Sequence, residues 1–406
     1  MKCQILEKNG YKCLYKQKEG VVSTVRIIVD AGSIAEDKSV YGVAHFVEHM
    51  FFKGCQNKNS KEIRDLMGLY GDSNAYTDFA RTVYYLSCLK TDVYNSLNLI
   101  AEILFQPKYE QEEMDKEANV ITEEIQTRLD NPNCYFFDNA MQHLIPGYGH
   151  CITGSKDSVL GLNISDLEKF TSDHYLRDNI CFAIVSSIPA EDIQIMFDEI
   201  IDKWSSGHNA GNSMKIKYSP NFSTEIKKMQ HNSEQAVISA VYKGLSIDQK
   251  IERNYVNRVF HNAFGGNLHS ILFDRVREKL GLCYNVSSFD HRVGEENRTF
   301  FYATLKKENV DQALSEIEKC FKEIQKNGID DDLLRIAKKN LILDVASSTQ
   351  TADSYARQFM DLYFDYGLES YEENAAKIML IENKDIIEFA RWLNSSAKQL
   401  LMMNVD

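Results

Sequence analysis

The chain has five prolines in 406 residues. Proline removes an amide donor and clashes with the preceding turn, so its scarcity leaves room for long unbroken helices. There is no C-x-x-C pair, and the nine cysteines stand singly from Cys3 to Cys320. An odd, scattered set excludes a disulfide framework and reads as reduced thiols in a reducing compartment, which makes a cytoplasmic location the expectation. Cys55 reads as a packing residue because no Cys/His arrangement surrounds it. No apolar run approaches the ~20 residues that span a bilayer. The opening ten residues lack the apolar core and small-residue cleavage site of a secretory signal. Basic charge is also short, with 46 Lys+Arg against 59 Asp+Glu and a net charge of −13. That balance argues against nucleic acid as a partner and suits cationic peptides better.

Charged and apolar residues make up 26% and 44% of the chain, the proportions of an ordinary globular protein. Its length permits two domains with separate cores. The sequence reads as a duplication, because residues 82–93 can be laid over residues 299–310: both alternate as a strand and then enter an amphipathic helix. Each of those helices, 94–104 and 311–324, precedes a second, acid-led helix beginning near Gln111 or Asp330. In that register Glu117 and Glu124 fall on Ile336 and Leu343. A run of small and polar residues at 205–213 reads as a linker. The expected organisation is a first domain over 1–205, a connection over 206–222 and a homologous second domain over 223–406. Strands at 24–29, 82–89, 180–186, 235–242 and 298–305 alternate with long helices, which predicts an α+β fold with helices on one face of mostly antiparallel sheets.

Within Gly42-Val-Ala-His-Phe-Val-Glu-His-Met-Phe-Phe-Lys-Gly54, His45 and His49 are four apart. On a helix that spacing stacks both imidazoles on one face, where they can share a metal ion. Glu48 lies beside them, placed to accept a proton from an activated water, as in zinc peptidases with the order H-x-x-E-H. Catalytic zinc takes three protein ligands and leaves one position for water. The third is sought in the helical stretch 117–125, where Glu117 and Glu124 are seven apart and therefore on one face. Glu123 would point about 100° away from its neighbour and reads as a solvated charge.

With Glu124 about 75 residues after His49 and Glu117 seven before that, the pattern resembles the pitrilysin (insulinase-type) zinc peptidases, particularly the half-length branch that includes the mitochondrial processing peptidase and its bacterial relatives. The likeness extends through Asn9-Gly10, Asp30-Ala-Gly-Ser33, Glu36, Ser73-Asn-Ala-Tyr-Thr77, Thr82-Val-Tyr-Tyr-Leu86, Gly147-Tyr-Gly-His150 with Gly154, and Arg277-Glu-Lys-Leu-Gly-Leu-Cys-Tyr284. The resemblance implies His45, His49 and Glu124 as ligands of one Zn2+ per chain, Glu48 as general base and Glu117 as a supporting carboxylate. It further implies that Asn74 and Ala75 hold an extended peptide, and that Arg277 and Tyr284 contact its carbonyl near the scissile bond. Against that, Arg277 could pair with Glu278 or Asp274 while Tyr284 lies half-buried in a strand. Gly265-Gly266 reads as a turn needing unusual backbone angles. His143, His150 and His174 lack a helical partner histidine and are set aside as ligands.

The expected activity is hydrolysis of unfolded peptides by a zinc endopeptidase. The resemblance makes a homodimer enclosing a chamber the expected assembly, since one chain carries both the metal residues and the Arg/Tyr pair. The alternative is a non-catalytic peptide-binding or assembly subunit.

Overall fold

The computed structural model describes residues 3–145, 149–205, 211, 222–223, 225–293, 296–365 and 371–405. The chain folds as two compact units that are not consecutive in sequence. The first comprises Met1–Arg128, Gly147–Tyr218 and Ser348–Phe364; the second comprises Leu129–Pro146, Ser219–Ser347 and Asp365–Asp406. Most of the expected linker, 206–222, lies outside the described residues.

The first unit is built on six strands in the order Gln4–Lys8, Tyr11–Gln17, Ile180–Ser186, Val22–Val29, Thr82–Leu89, Gly71–Thr77. All neighbours are antiparallel except Tyr11–Gln17 with Ile180–Ser186. Val25, Ile27 and Val29 point to one face and pack with Tyr84, Leu86 and helices Val43–Met50, Val93–Phe105 and Ala190–Trp204. The opposite face carries Arg26, which is fully buried. Its guanidinium pairs with Asp353 on helix Ala352–Asp365 and lies 4.4 Å from the Tyr85 ring centroid.

The second unit repeats the plan with five strands in the order Cys283–Val293, Glu296–Leu305, Ala236–Ser246, Lys398–Met403, Lys227–Met229. Here too an edge hairpin leads to a central strand; the parallel pair, Lys398–Met403 with Lys227–Met229, closes this sheet, whereas in the first unit one more antiparallel strand follows it. Helices Ile247–Phe264, Val310–Asn327 and Asn383–Ser395 form the core with one face. Helix Pro132–Leu144 covers the other, where Phe136 and Phe137 meet Phe289, Phe300 and Tyr302. The duplicated α+β architecture expected from the sequence is present, but each main sheet is covered by helices on both faces and not on one, because buried side chains such as Arg26 and Phe300 line the second face as well.

One register differs from the expectation by a single residue. Met114, Glu117, Ile121 and Ile125 form the buried stripe of Gln111–Asp130, and Leu334, Ala337, Leu341 and Val345 form that of Asp331–Ser348. The counterparts of Glu117 and Glu124 are therefore Ala337 and Asp344. They are not Ile336 and Leu343, and Leu343 is exposed. The slip has a local cause: Asp330 caps the helix, its Oδ1 accepting from Asp332 and Leu333 N–H, and so precedes the first turn.

Candidate metal centre

Val43–Met50 is a helix of eight residues, seven of them buried. Gly42 precedes it at φ 95°, where a side chain would be strained. His45 and His49 share one face with ring centroids 4.6 Å apart. Helix Gln111–Asp130 lies alongside and supplies Glu124, whose Oε2 is 3.6 Å from His45 Nε2 and 3.7 Å from His49 Nε2. Donors held about 2.0–2.1 Å from a tetrahedral zinc stand about 3.4 Å from one another; the two Glu124 separations are close to that, and all three groups offer donor atoms within 4.8 Å of one another. Among the described residues this is the one group of three or more His, Cys, Asp or Glu arranged to hold a metal.

Glu117 Oε2 lies 2.9 Å from His49 Nδ1 and its Oε1 2.6 Å from Lys53 Nζ. The carboxylate thereby turns the ring so that Nε2 faces Glu124. Burial alone would lower the His49 pKa, but the bonds to Glu117 and Glu124 outweigh it and push it up to about 9. Burial, with His49 next in effect, pulls His45 down to about 4. Glu117 is held below the usual carboxylate range: burial would raise it, but the bonds from His49 and Lys53 prevail. Glu124 is likewise lowered, first by its bond with His49. A divalent ion bound here would displace protons from the cluster, since the ligands must bind it deprotonated.

Glu48 is buried beside the cluster, its Oε2 accepting 2.7 Å from Thr77 Oγ1. Burial raises its carboxyl above the usual value. Thr77 ends the strand Gly71–Thr77, the free edge of the first sheet. On that edge Ala75 N–H is bonded 2.8 Å to the Asn74 side-chain oxygen and so does not enter the ladder. A cavity of about 460 Å³ opens between the start of this strand and helix Ser60–Tyr70, lined by Ile63, Arg64, Met67 and Asn74, with Phe52 and Lys53 from the turn after Val43–Met50.

The second unit presents Tyr284 at a β-bulge. Cys283 pairs with Leu305 and Asn285 with Thr304, leaving Tyr284 unpaired and 76% exposed. It is not half-buried. Arg277 sits in a π-helical turn, Phe273–Lys279, with its guanidinium 4.6 Å from the Phe273 centroid and 5.7 Å from that of Tyr284. Its approach to Glu278 is a loose 3.9 Å, and Asp274 is bonded by Lys279 instead. Glu123 is exposed. His143 meets Gln399, His174 packs on Phe170, and Cys55 is buried in the core.

Sequence reasoning missed Lys53 and Thr77 as supports of Glu117 and Glu48, although both lie in quoted motifs. It also missed what stands at the second unit's equivalent position. The buried residues Ala44, Phe46, Val47, Glu48, Met50 and Phe51 match Asn257, Val259, Phe260, His261, Ala263 and Phe264 in order. Arg258 and Asn262 thus replace the two histidines, and His261 replaces Glu48. His261 Nε2 is 3.0 Å from Asp290, whose strand position pairs with Thr299 as Thr77 pairs with Thr82. The helix-to-strand link survives as a part-buried contact between His261 and Asp290, and among the described residues no metal-ligand set surrounds it.

Two family profiles match: "Insulinase (Peptidase family M16)" over residues 12–145 and "Peptidase M16 inactive domain" over residues 161–341. A Bacillus subtilis protein described as the uncharacterized zinc protease YmxG is 26% identical over 86% of this chain and 84% of its own. An uncharacterized zinc protease of Rickettsia bellii is 27% identical over 96% and 94%. The probable mitochondrial-processing peptidase subunit beta of Arabidopsis thaliana is 25% identical over 55% of this chain and 43% of its own. In three dimensions the fold matches a protease from Helicobacter pylori at TM-score 0.91, with 19% identity over 99% of both chains. The inactive domain of an M16 peptidase from Pseudomonas fluorescens matches at 0.88, with 21% identity over 100% and 99%. With profiles of one family on both halves and likeness running through the whole fold, the chain belongs to the M16 (insulinase) peptidase family.

Proposed function

We propose that this protein is a zinc-dependent endopeptidase acting on unfolded peptides or extended tails. The observation that carries this reading is the convergence of His45 Nε2, His49 Nε2 and Glu124 Oε2 beside the buried carboxylate of Glu48. Zinc held by those three would supply Lewis-acid activation of a water molecule. Glu48, held by Thr77, takes the proton of the attacking water and later gives it to the leaving amine. Glu117 keeps His49 in the orientation that presents Nε2.

The substrate would lie as an added strand on Gly71–Thr77, with Ala75 N–H leaving the Asn74 oxygen for a peptide carbonyl. The cavity between the start of that strand and helix Ser60–Tyr70 would take one side chain. Arg277 and Tyr284 supply donors suited to a carbonyl that gains charge, and the working form would be a homodimer. The deciding experiment is mass spectrometry of products from a diverse peptide library, with zinc content measured on the same preparation. Chelator-sensitive cleavage supports the reading. Stoichiometric zinc with no cleavage would instead favour a peptide-binding subunit.

A further inference from the structure

Glu36 takes no part in the chemistry above, yet its side chain is wholly buried. Oε1 accepts from Ala44 N–H and Oε2 from Gly42 N–H, each at 2.8 Å. Gly42 has no side chain of its own to cap the metal helix, so Glu36 reaches in from outside and satisfies two amides at its start. His150 Nε2 lies 2.6 Å from the same Oε2. The His150 ring is stacked on Tyr41 at 3.6 Å between centroids and 12° between planes.

The backbone is closed around this pair. A Cβ on Gly42 would stand 2.8 Å from the Thr153 carbonyl oxygen, and one on Gly154 would stand 2.6 Å from that of Tyr41. Gly154 itself is at φ 74°. The segment from His150 to Gly154 is therefore packed backbone to backbone against the residues leading into the metal helix. That helix is little more than two turns long, too short to hold its shape by hydrogen bonds of its own. Ala44, the residue bonded to Glu36, is followed directly by His45.

We propose that Glu36 and His150 are positioning residues of the metal centre, clamping the first turn of Val43–Met50 so that His45 and His49 stand at ligand spacing before the ion arrives. The proposal rests on the zinc-ligand reading. A buried carboxylate with three donors resists displacement, because moving it would strand both it and the amides it serves. The pair acts through backbone placement and touches neither substrate nor metal.

The test is zinc affinity, measured by chelator competition on the metal-free full-length protein, together with thermal unfolding of metal-free and zinc-loaded forms. Glu36→Gln and His150→Leu should each weaken zinc binding by about 10-fold or more, the loss typical when a ligand's support is removed. His150→Gln, which keeps a donor toward Glu36, should stay within a few fold of the unaltered protein. Unchanged zinc affinity in folded Glu36→Gln and His150→Leu would overturn the proposal. So would an equal fall in metal-free and loaded melting temperatures without loss of affinity, which marks the pair as a fold element only. If Glu36→Gln fails to fold, the two His150 variants carry the comparison. His49→Ala is the control: if it binds zinc as well as the unaltered protein, the metal reading itself fails and takes this proposal with it.

Discussion

Glu48 and Glu124 are both placed at the cluster, and their surroundings differ in ways that fit the different work proposed for them. Glu48 is buried and bonded to Thr77, with its carboxyl raised; Glu124 is half-exposed, lowered and within reach of both imidazoles. Glu48→Gln should keep stoichiometric zinc and lose turnover by about 100-fold or more, the usual share of a general base. Glu124→Ala should lose the metal, whereas Glu123→Ala at its exposed position should retain it; zinc assay of the purified variants decides. In the second unit Asp290 accepts from His261, Thr299, Asn257 and Asn297. Burial would raise its pKa, but those partners, led by His261, hold it below the usual value of about 4. Its contribution to stability is therefore present above the unfolded-state value and is lost as pH falls through the lower folded one. Asp290→Asn should cost about 3 kcal/mol near neutral pH, by urea unfolding, and flatten the loss of stability below about pH 4. An unaltered acid profile would show that the carboxylate contributes nothing.

At the scale of elements, the strand Gly71–Thr77 joins the two functions the site requires. Its end holds Glu48 through Thr77, and its outer edge carries an amide satisfied only by a neighbouring side chain. Ala75→Pro removes that donor while the strand's pairing with Thr82–Leu89 can persist, since edge positions tolerate proline. The expected result is KM raised by about 10-fold with kcat changed less; unchanged KM would exclude strand addition at this edge. Arg26 ties helix Ala352–Asp365 to the first sheet. Removing its partner by Asp353→Ala leaves a buried cation unpaired and should destabilise the protein by about 2 kcal/mol, discounted because Asp353 is partly exposed. Differential calorimetry would register that change.

For the whole molecule, the proposed homodimer makes a prediction that one chain cannot. If each active site takes its metal from one chain and Arg277 and Tyr284 from the other, Glu48→Gln and Arg277→Ala are each nearly inactive alone. A mixed dimer would then hold one site with both defects and one with neither, so random exchange should restore about a quarter of full activity. No recovery, with exchange verified by native mass spectrometry, would place both groups in one chain. A chamber that admits only extended chains should also spare a stably folded domain while short peptides are cut. No helix among the described residues is long and apolar enough to cross a membrane.

The metal motif was legible because a helix converts a spacing of four into shared direction whatever surrounds it. The same rule placed Glu117 and Glu124 on one face and sent Glu123 outward. The duplication was legible too, since alternation in 82–89 and 299–305 survives divergence of the residues themselves. Other features depend on contacts distant in sequence, which no local pattern encodes. Glu36 could be seen in its motif, but only folding brings His150 to it across more than a hundred residues. The clustering of Leu129–Pro146 with the second unit and Ser348–Phe364 with the first arises in the same way: an apolar sheet face must be covered, and the sequence does not say by which helix. The residue standing in for Glu48 in the second half is legible only in the burial pattern the two helices share, because His261 has no motif in common with it. Periodicity along the chain determined the elements and the shared direction of the candidate metal ligands; packing between distant segments decided what holds them in place.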